Sequence, residues 1–221
     1  MLIAGVDDAG RGAVIGPLVI AGVMTKQENL PKLAQLGVKD SKLLTPHRRE
    51  TLAAQIKQTV EKYVVAKLSP QEIDDVVENG VKLHKLNRLE AQTMAKVIEA
   101  LKPDKAYVDA SDILEERYKH HILECLTIKV EIISEHKADR NYPIVSAASI
   151  IAKVERDKAI TDLASTHGDF GSGYPSDPKT TEYLKNYLQQ HEQYPDFVRK
   201  SWKPAKKALN EKNSPRQTKL T

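Results

Sequence analysis

The 221-residue chain contains one cysteine, Cys125. A lone thiol excludes a disulfide framework and any cysteine-based zinc site, and Cys125 is expected to act as a small buried hydrophobe. No apolar run is long enough to cross a bilayer. The longest, residues 13–24, falls well short of the roughly 20 residues that a spanning helix needs. Asp7 and Asp8 interrupt the N-terminus before a secretory apolar stretch could form. The seven histidines show no metal-ligand spacing, and the adjacent His120 and His121 would point to different helix faces. No internal repeat is evident. These absences predict a soluble, cytoplasmic, monomeric protein with no membrane partner.

A hydrophobic content of 40% is enough for a real core and too high for a disordered chain. The length suits one domain with room for a small second lobe. The net charge of +4 is unevenly placed. From Arg199 onward there are eight basic residues and one acid, Glu211, an excess of +7 that leaves residues 1–198 at −3. A basic tail on a slightly acidic body points to a polyanion such as nucleic acid, although solvated or disordered tails have the same composition.

Residues 2–6 and 13–25 are apolar and flank the turn signal Ala9-Gly10-Arg11-Gly12, which predicts an antiparallel hairpin. Thr45-Pro46 opens a helix to about residue 63, followed by a strand over 63–68 and a helical stretch from Ser69-Pro70. Further on, the pattern predicts helices over 81–101, 114–126, 143–163 and 180–192, and strands over 105–108 and 128–133. A short basic helix follows Pro204, and the final dozen residues look unfolded in isolation. Strands alternating with helices after a hairpin predict an α/β layered fold with a mixed sheet.

Three acidic positions fall where strands end: Asp7 with Asp8, Asp109, and Asp139 soon after the last strand. Sites in α/β sheets form at the carboxyl ends of strands. Carboxylates gathered there repel one another unless a cation neutralises them, and an all-oxygen donor set suits Mg²⁺ or Mn²⁺. Two such ions about 3.5–4 Å apart would suit phosphodiester hydrolysis. For any single Asp, turn capping is the simpler explanation.

Gly10 and Gly12 would let a ligand approach the backbone, and Arg11 could reach a phosphate or base edge; a tight turn with an exposed Arg is the bland alternative. Lys42 is a candidate phosphate contact or an ordinary surface lysine. Ser146 and Ser149, near a helix start, could form an anion site or a packing face. Tyr174, between Gly173 and Pro175, could stack on a sugar or base, or anchor its loop.

These residues lie in motifs that resemble ribonuclease HII, its archaeal form more than its bacterial one. They are Gly5-Val6-Asp7-Asp8-Ala9-Gly10-Arg11-Gly12, Asp40-Ser41-Lys42-Leu43-Leu44, Tyr107-Val108-Asp109-Ala110 and His136-Lys137-Ala138-Asp139. Val145-Ser146-Ala147-Ala148-Ser149-Ile150-Ile151-Ala152-Lys153 and Gly171-Ser172-Gly173-Tyr174-Pro175-Ser176-Asp177-Pro178 follow in the family's order. The resemblance covers about residues 1–204. It implies a ribonuclease H-like α/β fold, a mixed central sheet flanked by helices, with a catalytic core over 1–155, a small helical C-terminal lobe over 156–209 and a flexible basic tail over 210–221. It implies an endoribonuclease that cuts the RNA strand of RNA–DNA hybrids and nicks 5′ of ribonucleotides embedded in duplex DNA, leaving a 3′-hydroxyl and a 5′-phosphate. The catalytic, metal-binding acids would be Asp7, Asp8, Asp109 and Asp139, holding Mg²⁺ or Mn²⁺. Gly10, Arg11 and Gly12 would meet the RNA–DNA junction and its ribose 2′-hydroxyl, and Tyr174 would sense the junction. Lys42, Ser146 and Ser149 would lie near the substrate phosphates.

Two features depart from the family. Its second acid is normally Glu, and here it is the shorter Asp8, which predicts altered activity or a greater tolerance for Mn²⁺. Archaeal relatives often end in a sliding-clamp-binding box. Gln217 and Leu220 match its first half without the two aromatics that follow, which fits a truncated box or chance similarity. Two other readings compete: an actin-like phosphotransferase, which needs a second nucleotide-binding half, and a non-catalytic binder of RNA–DNA hybrids.

Overall fold

A computed structural model describes residues 1–38, 44–80 and 83–213. Lys42, Gln217 and Leu220 lie outside the described residues. The sheet has the order β3-β2-β1-β4-β5, with β1 (Leu2–Ala9), β2 (Leu18–Lys26), β3 (Lys62–Leu68), β4 (Lys105–Asp109) and β5 (Glu131–Glu135). The pairs β1·β2 and β2·β3 are antiparallel, and β1·β4 and β4·β5 are parallel. The mixed sheet is thus as expected.

The helices begin where local chemistry starts them. Thr45 caps α2 (Pro46–Thr59) by accepting from the Arg48 N–H, with Pro46 at the first helical position. Ser69 and Glu72 form a reciprocal capping box at α3 (Pro70–Asn79). The remaining helices are α1 (Leu30–Gln35), α4 (Lys85–Leu101), α5 (Glu115–Leu123), α6 (Ala138–Asn141), α7 (Pro143–His167), α8 (Pro178–Gln190) and α9 (Lys203–Asn213). Among the described residues, no helix is long and apolar enough to cross a membrane.

Strand alternation divides the core in two. Ile3, Val19, Ala21 and Val23 face α1, α2 and α7, where they meet Leu33, Leu52, Ile56 and Ala148. Ala4, Val6 and Ile20 face α4 and α5, where they meet Met94, Ile98 and Ile122. Each fully buried aliphatic side chain contributes roughly 1.5–3 kcal/mol. Gly5 decides how closely α7 approaches β1. A Cβ there would lie 2.4 Å from the backbone carbon and oxygen of Ile144. Cys125 is half-buried against the second cluster rather than fully enclosed.

Several boundaries differ from expectation. The apolar run after Gly12 does not continue as one strand, because Gly16 (φ 86°) and Pro17 break it and β2 starts at Leu18. Val14 and Ile15 instead enter a third core with Phe170, Leu184, Phe197 and Ala205. β5 starts at Glu131, in register with Lys105 at the start of β4. The boundary expected at residue 155 falls inside α7. Its first half packs on the sheet, and its later residues Ile160, Leu163 and Ala164 join the third core. Helix α9 runs to Asn213, into the segment expected to be an unfolded tail.

Candidate active site

The parallel strands β1 and β4 end side by side, in register at Val6 and Val108. Asp7 and Asp8 are the two residues of β1 before its last, Ala9, and Asp109 closes β4. Alternation places Asp7 on the α7 side of the sheet and Asp8 on the α4 side. Asp109 follows Val108, which faces α4, and so shares the α7 side with Asp7.

Each acid is held by its surroundings. The Asp7 carboxylate accepts the Asp8 N–H at 2.7 Å and bonds with Ser149, whose hydroxyl accepts from Lys153 Nζ at 2.8 Å. Asp109 accepts the Ala138 N–H at 2.7 Å, which ties the end of β4 to the start of α6, where Asp139 is the next residue. Asp8 accepts from the Ser111 hydroxyl at 3.3 Å. Asp139 is 8% exposed, and its carbonyl accepts the Ser146 hydroxyl.

The electrostatics follow from the packing. Burial, and then the charges of Asp8 and Asp109, push Asp7 well above the usual carboxylate range. Burial, then Glu90, raises Asp8 to about 7, against the pull of Arg11. Among the described residues, no three acid, His or Cys side chains already stand at metal-holding separation. Asp7, Asp8 and Asp109 are nevertheless close enough to disfavour one another's charge. A partly buried donor set made of carboxylate oxygens fits a hard divalent cation, whose charge would relieve that repulsion.

The turn after β1 is built by neighbours distant in sequence. Gly10 has φ 90°, and a Cβ on it would fall 2.6 Å from Arg156 Nε and 2.8 Å from the Pro17 carbonyl oxygen. At Gly12 a Cβ would meet nothing within 4 Å. Arg11 turns inward, its Nε 2.9 and 3.0 Å from the two Glu90 oxygens and its Nη2 donating to Asn87 Oδ1 at 2.8 Å. Glu90 is fully buried, and burial raises it to about 7 although Arg11 opposes the shift. Asn87 also donates to Asp112 at 2.8 Å, and Asp112 is gripped by Arg117.

The other candidates divide. Ser146 and Ser149 are each 1% exposed, so their hydroxyls serve Asp139 and Asp7 from beneath instead of facing solvent as an anion site. Tyr174 is half-buried, with the Arg156 guanidinium 4.4 Å from its ring centroid. Arg199, the first residue of the basic C-terminal run, has no exposed surface, and its hydrogen bonds run to backbone carbonyls. A charge count cannot register burial. Sequence reading did not single out Glu90, Asn87 or Arg156, and gave Arg199 no role beyond its place in the basic run. Two of these left a trace. Glu90 interrupts the apolar face that carries Met94 and Ile98, and Arg156 falls on the row Ala148, Ala152, Ile160.

The chain is similar to known proteins over nearly its whole length. The family described as Ribonuclease HII matches residues 4–205. A ribonuclease HII of Thermococcus kodakarensis is 48% identical over 209 residues, 94% of this chain and 89% of that protein. The crystal structure of the ribonuclease H2 from Pyrococcus horikoshii superimposes with a TM-score of 0.90 at 43% identity, covering 97% of this chain and all of that one. A ribonuclease HII of Archaeoglobus fulgidus, solved in complex with PCNA, gives a TM-score of 0.83 at 44% identity, over 92% of this chain and 96% of that one. The match to Ribonuclease HII over residues 4–205 sets the phosphotransferase reading aside. The chain belongs to the ribonuclease HII family, endoribonucleases that act on RNA paired with DNA.

Proposed function

We propose that this chain nicks duplex DNA on the 5′ side of embedded ribonucleotides and cuts the RNA strand of hybrids, leaving a 3′-hydroxyl and a 5′-phosphate, with Asp7, Asp8, Asp109 and Asp139 as its metal-holding acids. The observation that carries the reading is the convergence of Asp7, Asp8 and Asp109 at the carboxyl edge of the parallel pair, with Asp139 just beyond. When bound, Mg²⁺ or Mn²⁺ would supply an activated water and charge stabilisation at the leaving oxygen.

The chain's own groups prepare that edge. Ser149, backed by Lys153, orients Asp7, and the Ala138 N–H orients Asp109. The Ser146 hydroxyl fixes the backbone at Asp139 against α7. Gly10, Arg11 and Gly12 are assigned to the RNA–DNA junction, where reading a 2′-hydroxyl separates RNA from DNA. Tyr174 is assigned to the same junction, and Lys42 to the phosphates beside it. The lysines of α9 would attract the duplex backbone. A cytoplasmic setting, where thiols stay reduced, suits a chain with one cysteine. The Archaeoglobus relative seen with PCNA supports a sliding clamp as partner, with Gln217 and Leu220 as the first half of the contact.

The test is a DNA duplex holding one ribonucleotide, incubated with the protein and Mg²⁺ or Mn²⁺. A single nick 5′ of the ribonucleotide is expected. Binding without cleavage would favour the non-catalytic hybrid binder.

A further inference from the structure

Arg199 stands between α8 and α9 and has no exposed surface. Its guanidinium donates to the carbonyls of Gly10 and Arg11, each at 2.8 Å, and to Gly16 at 3.1 and 3.2 Å. Its own N–H donates to the Val14 carbonyl at 2.8 Å. The segment 10–16 is therefore gripped from the C-terminal lobe by one side chain more than 180 positions later in the chain. Arg156 closes the other side. It packs where a Gly10 side chain would stand, and its guanidinium lies over Tyr174 while donating to the Ser172 carbonyl at 2.8 Å.

Burying a guanidinium away from water is costly, so its retention here calls for a reason. Peptide planarity supplies one. In a trans peptide the C=O and the following N–H point in opposite directions. Pinning the Gly10 and Arg11 carbonyls toward the lobe therefore turns the N–H groups of Arg11 and Gly12 away from it. The rigid planar fork of an arginine can hold two successive carbonyls at once, which the point charge of a lysine does less well.

We infer that Arg199 is a positioning residue for substrate recognition: by holding the Gly10 and Arg11 carbonyls it sets the direction in which the 10–12 turn presents its N–H groups to the ribonucleotide. This rests on the assignment of that turn to the RNA–DNA junction. The C-terminal lobe then takes part in reading the substrate, beyond any attraction of its lysines for phosphate.

The deciding experiment compares the wild-type protein with Arg199→Lys and Arg199→Met on a duplex with one ribonucleotide. Steady-state constants and thermal melts are measured on the same preparations. Misplacing a contact by about 1 Å can cost about 100-fold, so Arg199→Lys, once its melt shows a folded protein, should lose about 10- to 100-fold in kcat/KM, mostly through a higher KM. A purely structural role would shrink the active fraction, lowering kcat at an unchanged KM, and that result overturns the inference. So does a wild-type KM in a folded Arg199→Lys. Should neither variant fold, hydrogen exchange on the wild-type protein decides. Adding the same duplex in EDTA should protect residues 10–16 and 197–202 together, and protection of 10–16 alone overturns the inference. Failure of the wild-type protein to nick the duplex would instead remove the underlying assignment, whatever Arg199 does.

Discussion

Asp7 and Asp8 are bonded neighbours that serve opposite faces of one sheet. Asp7 reaches Ser149 on the α7 side, while Asp8 meets Ser111 and the Arg11–Glu90 pair on the α4 side. In the proposed site both would act at one edge because β1 ends there, and Asp8 would have to wrap around the strand to join Asp7 and Asp109. Losing one methylene relative to Glu shortens the side chain that has the longer way to go.

Asp8→Glu should therefore raise activity with Mg²⁺ more than with Mn²⁺, since Mg²⁺ demands nearly ideal geometry at about 2.0–2.1 Å. Single-turnover cleavage with each metal checks this. Unchanged rates with both would show that the shorter acid costs nothing.

Asp8 and Glu90 are both raised to about 7, burial being the larger cause in each. Unfolded carboxylates titrate near 4. Between these values the folded state binds more protons than the unfolded one, so stability is full at the low end and falls as pH rises through about 7. In EDTA, the contribution of these two groups should make the melting temperature lower at pH 8 than at pH 5, with Asp8→Asn and Glu90→Gln each reducing the difference. Added Mg²⁺ or Mn²⁺ should restore stability at pH 8. Variants that keep the full wild-type pH difference would contradict this.

Gly5→Ala should lower stability by about 1–3 kcal/mol or more, because its Cβ meets α7 backbone that cannot rotate aside. Cleavage should fall with it, as α7 carries Ser149 against Asp7. Urea titration measures the first effect, and an unchanged midpoint would mean that α7 can recede.

Lys203 and Lys207 are exposed on α9. Replacing either by Ala should weaken duplex binding equally with and without a ribonucleotide, and should flatten the salt dependence by about 1 in log–log slope. Fluorescence anisotropy across a salt series reads both. A selective loss on the ribonucleotide duplex would place these lysines in recognition instead.

A polypeptide of residues 1–221 alone should bind a sliding clamp weakly, since in it Gln217 and Leu220 lack the two aromatics of the usual box. Calorimetry against an archaeal clamp checks it, and tight binding would require a contact elsewhere.

The sequence by itself determined the alternation of strands and helices, because periodicity and caps such as Thr45-Pro46 and Ser69-Pro70 act over a few residues. It also determined the candidate acids, since Asp7, Asp8 and Asp109 stand where apolar runs stop and Asp139 follows soon after another. It misread residues 13–17 as strand, because Gly16 and Pro17 redirect an apolar run whose hydrophobicity suits a sheet and a lobe core equally well. Only the tertiary structure decided which face each acid takes, that Arg11 turns to Glu90, and that Arg199 is buried as a clamp on the 10–16 segment. Those outcomes depend on contacts between residues far apart in the chain. Neither local pattern nor charge count carries that information, because both a solvated arginine and a buried one contribute the same single positive charge.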